Sequence, residues 1–485
     1  MKKLSLLSLS LILAGCSLNP KYEQPQAPVP SEYNAASSAL PVGLLSGADL
    51  GWQEVIREPR LRALIELALA NNRDMLIAIQ RVEESRALYG VQRSDLLPHI
   101  GANAQESAQR LPPAMRVPGQ DSISRTYSAG LGITSFELDF WGRKRSLSEA
   151  AFEQYLATDE ARKNVQLSLV SQVASTYFTW RTAQSLQDLA RRTIDAYQGN
   201  YDLVNRRFQA GVASGLERNQ ALTTLQAAKA ALAAANRQVQ VASNALDLLI
   251  GQPQPVNLPA AVPFGADNLI AEIPAGVSST LLIRRPDIIA AEHQLKAANA
   301  QIGAARAAFF PTISLTGLLG TISPQLSGLF DRQTETWSFN PTMSLPIFTA
   351  GALRNNLNLA EVRKEIAILE YEKAIQNAFR EVSDALAGEA SYKGQLDALR
   401  EQQAAAYQSL NLSEQRYEAG VDSFLQVQQA QIALFNVQQS FLQVGLASLQ
   451  NRLELYKALG GGWTATTVTN LDLPTAEAEQ SGSLN

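Results

Sequence analysis

The chain carries one construction twice, and a duplication of this size commits any fold to two equivalent halves. Gly90, Arg93, Pro98 and Ile100 recur as Gly303, Arg306, Pro311 and Ile313, at an ungapped offset of 213 residues. Residues 207–214 (Arg-Phe-Gln-Ala-Gly-Val-Ala-Ser) recur as 416–423 (Arg-Tyr-Glu-Ala-Gly-Val-Asp-Ser), and Gly251 as Gly460, at an offset of 209. The offset changes between Pro98 and Gly142, against Pro311 and Gly351. Each half therefore holds a segment that tolerates length change, followed by a long one that does not, as expected of a loop outside a rigid framework.

The N-terminus points to export. Lys2-Lys3, the apolar run of 4–13 and Leu13-Ala14-Gly15-Cys16 read as a signal peptide over 1–15, since such a run is too short to span a bilayer. The last four residues resemble a bacterial lipobox, which makes Cys16 the expected lipidation site, with Ser17 after it favouring the outer membrane. Cys16 is the only cysteine, so no internal disulfide can form. Cys16→Ala is expected to lower membrane retention. Net charge is −4 and no basic stripe exists, so nucleic acid is not an expected partner. After the leader, no apolar stretch reaches the roughly 18 residues that a spanning helix needs. A membrane crossing must be made by strands.

The strongest periodic signal is helical. Leu225, Ala228, Leu232, Ala235, Val239, Ala242, Leu246 and Leu249 alternate steps of three and four, a pattern that supercoils helices left-handedly. Leu434, Val437, Phe441, Val444, Ser448, Asn451 and Leu455 repeat it in the second half. The preceding segments, 145–207 and 354–416, hold no proline and reach about 90 Å each if unbroken, with Gly199, Gly388 and Gly394 as possible breaks. Gln426, Gln428, Gln429, Gln431, Gln438, Gln439 and Gln443 give an uncharged polar face that suits a wall wetted on both sides.

Four segments alternate with a period of two. Ile100, Ala102 and Ala104 form one apolar row, and Tyr127, Ala129, Leu131 and Ile133 a second. Ile313 and Leu315 form a third, and Trp337, Phe339, Met343, Leu345 and Ile347 a fourth. One apolar and one small polar face is the pattern of a lipid-facing, water-lined barrel. Four strands cannot close, and open edges are forbidden in lipid. Other copies of the chain must complete the barrel, and counting does not choose between two, three or four.

Enzyme chemistry finds little support. His99 and His293 are the only histidines, and neither a Gly-x-Ser-x-Gly elbow nor a phosphate-binding glycine loop is present. No cofactor or metal is expected. A periplasmic coiled-coil scaffold lipoprotein would share the helices but has no need of four strands with an apolar face.

Several motifs together carry a family resemblance. They are the lipobox at Cys16, residues 70–74 (Ala-Asn-Asn-Arg-Asp) and 136–143 (Phe-Glu-Leu-Asp-Phe-Trp-Gly-Arg). The second half adds Arg285-Pro286-Asp287, 304–311 (Ala-Ala-Arg-Ala-Ala-Phe-Phe-Pro), 345–348 (Leu-Pro-Ile-Phe) and 455–462 (Leu-Tyr-Lys-Ala-Leu-Gly-Gly-Gly). Over nearly the whole mature chain the sequence resembles the outer membrane factors of tripartite efflux pumps, the TolC-like channels, and most closely their OprM-like lipoprotein branch.

That resemblance implies an α+β membrane protein. A homotrimer would form a 12-stranded outer-membrane β-barrel, four strands per chain, continued by a 12-helix periplasmic α-barrel with a mixed equatorial domain. The expected map is a lipidated segment over 16–58, a first repeat over 59–251 and an equatorial linker over 252–281. A second repeat over 282–462 and a flexible tail over 463–485 follow. Strands are expected near 99–110, 124–138, 311–322 and 335–348, and hairpin tips near 210–215 and 419–424. The implied partners are outer-membrane lipid, a periplasmic membrane-fusion adaptor and an inner-membrane RND-type pump. The implied function is a passive, gated exit duct for drugs and small toxic compounds, with type I protein secretion or metal efflux as the alternative. Gly211, Val212, Ser214, Gly420, Val421 and Ser423 would dock the adaptor. Glu217, Tyr417, Asp422, Leu425, Gln426 and Gln429 would form the periplasmic gate, with Tyr417 donating to Glu217 across adjacent hairpins. Relatives often place aspartates where Gln426 and Gln429 stand, so cation block should be weaker here.

Overall fold

A computed structural model describes residues 17–30, 33, 50–110, 112, 114, 122–262 and 284–463. The signal peptide, Cys16, most of the expected linker over 252–281 and the tail after 463 lie outside the described residues. In chain order the elements are α1 (Trp52–Val55), α2 (Pro59–Asn71), α3 (Arg73–Ser94), β1 (Ile100–Arg110) and β2 (Ile123–Leu138). The hairpin α4 (Arg143–Gln209) and α5 (Gly215–Ile250) follows. The second half runs α6 (Pro286–Ala307), β3 (Thr312–Ser323), β4 (Glu335–Ser344), α7 (Ala352–Glu418) and α8 (Phe424–Ala458). Two compact units emerge from the contacts. One comprises the described parts of Met1–Gln26, Arg81–Asp159 and Ala290–Glu372, and the other those of Ala27–Gln80, Glu160–Ile289 and Lys373–Asn485.

The first unit holds an antiparallel sheet in the order β1-β2-β3-β4. Its register aligns the four apolar rows into one face: Ala102, Leu131, Leu319 and Trp337 lie side by side, as do Ile100, Ile133, Gly317 and Phe339. Leu131, Leu319, Trp337 and Met343 are more than half exposed, as a lipid-facing surface requires. On this face the apolar band ends at one level, where Glu106 pairs with Arg125 at 3.2 Å and accepts the Tyr127 hydroxyl at 3.2 Å. A bulge between Ile133 and Phe136, with Ser135 at φ 54°, shifts the alternation by one residue. Phe136 and Leu138 thereby rejoin the apolar face, which simple alternation does not foresee. The fourth row stops earlier than its sequence suggests. β4 ends at Ser344, because Pro346 has no N–H for a ladder, so Leu345 and Ile347 lie past the strand. Among the described residues the outer edges of β1 and β4 have no partner strand.

The same unit seats the N-terminal segment. Asn19 donates to Glu149 and accepts from the Ser146 hydroxyl, each at 2.7 Å. The Pro20 carbonyl accepts from Asn299 at 2.8 Å, Tyr22 donates to Glu292 at 3.1 Å, and Gln24 donates to Tyr371 at 3.0 Å. A methyl group on Gly303 would overlap the Asn19 side chain, whereas its repeat counterpart Gly90 faces open space. A single N-terminus thus breaks the symmetry of the duplicated halves. Gly303→Val is expected to displace this strap. Trypsin should then cut after Lys21 much faster than in the wild type, and unchanged cleavage would show that the notch does not hold it.

The second unit contains the main core, where Trp52, Ile56, Leu61 and Ile65 meet Val173, Tyr177, Leu246 and Tyr456. Buried Glu58 accepts from the Tyr177 hydroxyl and, at 3.1 Å, from Arg181. Arg181 also donates to the Val262 carbonyl at 2.8 Å. Burial pushes the Glu58 carboxyl upward, while Tyr177 and Arg181 oppose the shift. Gly251 ends α5 in the left-handed conformation at φ 77° and abuts the Asn71 carbonyl. Gly460, at φ 84°, lies against Arg285, whose guanidinium holds Asp287 at 2.8 Å, Glu381 at 2.9 Å and the Ala458 carbonyl at 2.8 Å.

Both long helices run unbroken for 67 residues, so Gly199, Gly388 and Gly394 are not breaks. Gly388 is a seat instead: Asn451 fills the space a methyl group would take and donates to the Ala385 carbonyl at 2.8 Å.

Candidate functional site: the paired hairpin tips

Each long helix turns back through a glycine that adopts the left-handed conformation at no steric cost. At the first tip Gly211 has φ 79° and the Val212 amide returns to the Arg207 carbonyl at 2.9 Å. At the second, Gly420 has φ 74° and Val421 returns to Arg416 at 2.9 Å. The helix starts then diverge. Ser214 accepts from the Glu217 amide at 3.1 Å, and the Glu217 carboxylate reaches back to the Ser214 amide, a complete capping box. Ser423 makes no side-chain cap, because its own carbonyl takes the Gln426 amide at 3.1 Å. Asp422 instead pairs with Arg416 at 2.6 Å.

The two tips pack on each other through a small core of Val204, Ala221, Phe424 and Val427, flanked by Tyr201, Leu410 and Tyr417. Tyr417 and Phe424 meet edge to face at 5.5 Å. Arg207 donates to the Tyr417 hydroxyl at 2.8 Å, with its guanidinium 5.1 Å from the ring centre. Burial pushes the Tyr417 phenol above its ordinary value, Arg207 opposes this, and the Glu217 charge adds to it. Gln428 spans the hairpins, donating to the Gln220 carbonyl at 3.0 Å and to Thr224 at 2.8 Å.

Within one chain, then, the Tyr417 hydroxyl is served by Arg207 and Glu217 is occupied with its own helix start. Leu425, Gln426 and Gln429 are exposed, as are Gly211, Val212, Ser214, Gly420, Val421 and Ser423. The polar helix face is not uniformly wetted, since Gln428 ties the hairpins and Gln431 is buried against Glu414. Arg207, Arg416 and Gln428 were not among the expected gate residues. The matching of Arg207 to Arg416 across the repeats is a signal that could have found the first two.

Burial raises the Glu414 carboxyl, Glu418 raises it further, and Gln431 opposes both. A carboxyl raised in the folded state contributes stability below its unfolded value and loses it as pH rises through the folded one. The tips should therefore hold together better below about pH 4.3, the ordinary value of a free glutamate, than at neutral pH. Open probability in planar bilayers should be lower at the acid pH, and Glu414→Gln should flatten that dependence.

The sequence profile of the outer membrane efflux protein family matches this chain over residues 64–252 and 277–461, one stretch for each half. The chain belongs to that family. Among its relatives, a probable efflux pump outer membrane protein, TtgC of Pseudomonas putida, is 43% identical over 468 residues, covering 96% of both chains. OprJ of Pseudomonas aeruginosa is 39% identical, covering 95% of both. The open state of the MtrE outer membrane channel of Neisseria gonorrhoeae superposes with a TM-score of 0.85 at 39% identity, covering 94% of this chain and all of that one. As a member of the outer membrane efflux protein family the chain is an efflux channel of the outer membrane that extends into the periplasm. Its fold class is that of the trimeric channels, with a strand barrel continued by helices. The family is one of channels and not of enzymes.

Proposed function

We propose that this channel is the passive exit duct of a tripartite, RND-type multidrug efflux system, closed at its periplasmic end by the paired hairpin tips. The observation that carries the gate is the cross-hairpin packing of Tyr417, Phe424 and Val427 on Val204 and Ala221, tied by Arg207 and Gln428. A passage widens there only if the hairpins part, because the buried side chains otherwise fill the space between them. Tyr417, Glu217, Asp422, Leu425, Gln426 and Gln429 belong to this constriction. Arg207 orients Tyr417 within the chain, and the exposed amides of Gln426 and Gln429 attract cations less than carboxylates would.

Val212 and Val421, both about two-thirds exposed, sit on matched left-handed turns and offer two equivalent apolar knobs to a periplasmic adaptor. Gly211, Ser214, Gly420 and Ser423 shape those knobs. Cys16 carries the lipid anchor after loss of 1–15, and three copies supply twelve strands to the barrel. The repeats over 59–251 and 282–462 supply the walls. In planar bilayers the wild type should show small, mostly closed conductance steps. Arg207→Ala with Gln428→Ala should give larger and longer ones, and identical traces would remove the gate from the tips.

A further inference from the structure

The two outer edges of the sheet have a defined hydrogen-bonding phase. Where β3 and β4 join, the Ile322 amide donates to the Thr334 carbonyl at 2.9 Å. Bonded and unbonded pairs alternate along an antiparallel ladder. Even-numbered residues of β4 therefore turn their amides to β3, and odd-numbered ones turn theirs to the outer edge. The same alternation carried across β3 and β2 gives β1 the opposite phase, with its even-numbered residues facing its outer edge. Pro346 then has a specific consequence. Its position is even, so the amide it lacks would have gone to β3, and that pairing stops at Ser344. Leu345 and Ile347 are odd, so Pro346 leaves their amides free to serve the other edge.

The duplication supplies a register for that edge. The β2–β3 seam joins the end of one half to the start of the other, and β4 bears the same relation to β1 of a following copy. Ile100 pairs with Ile133, and its repeat counterpart Ile313 pairs with Met343, which makes Met343 the counterpart of Ile133. Past the bulge, Leu138 corresponds to Ile347 at the 209-residue offset. The in-chain pairs Ile133–Gly317 and Leu138–Ile313 translate to Met343–Ala104 and Ile347–Ile100 between copies. These two pairs are four residues apart on both strands, so one unbulged register satisfies both. It also sets odd residues of β4 against even residues of β1, the phase that the hydrogen bonds require. On the lipid-facing side it puts large against small, with Leu345 opposite Ala102.

We propose that β4 of one copy pairs with β1 of the next in this register and that the pairing carries β4 on through Ile347, which rests on the closure of the barrel by three copies proposed for this channel. Open edges are not tolerated in lipid. A slip of one residue would turn the apolar row of the added strand to the lumen, and the repeat selects among the two-residue slips that remain. The fourth apolar row, which in the single chain stops at Met343, is thereby completed by assembly.

Disulfide trapping in outer membranes tests the register. Thr342→Cys with Gln105→Cys, and Pro346→Cys with Gly101→Cys, put cysteines at directly opposed unbonded pairs. Their Cα atoms would lie about 4.5 Å apart, within the span a disulfide accepts. Thr342→Cys with Asn103→Cys, or with Ser107→Cys, puts them on diagonals about 7–8 Å apart, outside that span. Within one chain these positions stand at opposite edges of the sheet, about 14 Å or more apart, so any such disulfide joins two copies. Mild oxidation should convert both direct pairs to covalent trimers on denaturing, non-reducing gels. The diagonal pairs and each single variant should stay as single chains. Trapping at a diagonal pair in place of the direct one would overturn the register. Trapping at 342 with 105 but not at 346 with 101 would overturn the extension of β4. No trapping at any pair, in variants that run as SDS-resistant oligomers before denaturation, would overturn the seam while leaving closure by several copies intact. A wild type that runs only as a single chain would overturn both.

Discussion

Gly320→Val is expected to abolish assembly of the barrel, while Gly101→Val in the same sheet is expected to be tolerated. Gly320 and Gly130 face each other across the β2–β3 seam, the junction of the two repeats. A Cβ at Gly320 would overlap the Ala129 carbonyl oxygen and stand 2.6 Å from the Gly130 Cα. One at Gly130 would stand 2.8 Å from the Leu319 carbonyl oxygen. All these neighbours are backbone atoms, so no rotamer change relieves the overlap. Gly101 has no atom within 4 Å of the corresponding position. Overpacking against backbone costs about 3 kcal/mol or more. Outer-membrane levels of the SDS-resistant oligomer should fall about tenfold or further for Gly320→Val. Equal levels for the two variants would show that the seam accommodates side chains.

Glu58→Ala is expected to destabilise the second unit by about 3–5 kcal/mol, because it removes the buried carboxylate that accepts from both Tyr177 and Arg181. Glu58 is fully buried and Arg181 nearly so, and the Tyr177 hydroxyl shares the same acceptor. Arg181 also fastens the chain at Val262 to the core. Helical ellipticity should be lost at markedly lower guanidinium concentration in Glu58→Ala. Glu58→Gln should recover part of the loss, since an amide oxygen still accepts from Arg181 and Tyr177. A variant that unfolds with the wild type would mean that the triad is not what fixes α2 to α4.

Much of this architecture is legible in the residues. The strict three-four spacing from Leu225 to Leu249 leaves little but a supercoiled helix, and Leu225, Ala228, Ala235, Ala242 and Leu246 are indeed buried. Period-two rows marked all four strands. What the sequence hides is where local rules compete with contacts from distant residues. Gly388 resembles a helix break until Asn451, more than sixty residues later, is seen to fill it. Gly303 and Gly90 look equivalent until Asn19 occupies one of them. The bulge after Ile133 is a two-strand property, invisible in either strand alone. At the tips the turn glycines and the Ser214 cap are written locally, whereas the Arg207–Tyr417 and Gln428–Thr224 ties join residues over two hundred positions apart.

If the paired tips are the gate, transport requires the two hairpin tips of a chain to part. Gln220→Cys with Gln428→Cys places a cysteine pair across that contact, where the Gln428 amide now meets the Gln220 backbone. Cys16 is the only native cysteine, so no other internal dithiol competes. Drug accumulation should be measured in cells whose only channel of this kind is the double variant, in oxidising medium and after a permeant reductant. Accumulation should be as high as in channel-free cells while the disulfide is closed, efflux should recover on reduction, and each single variant should show normal efflux. Full efflux with the disulfide verified closed would contradict it, because the tips would then be passive turns and the gate would lie elsewhere.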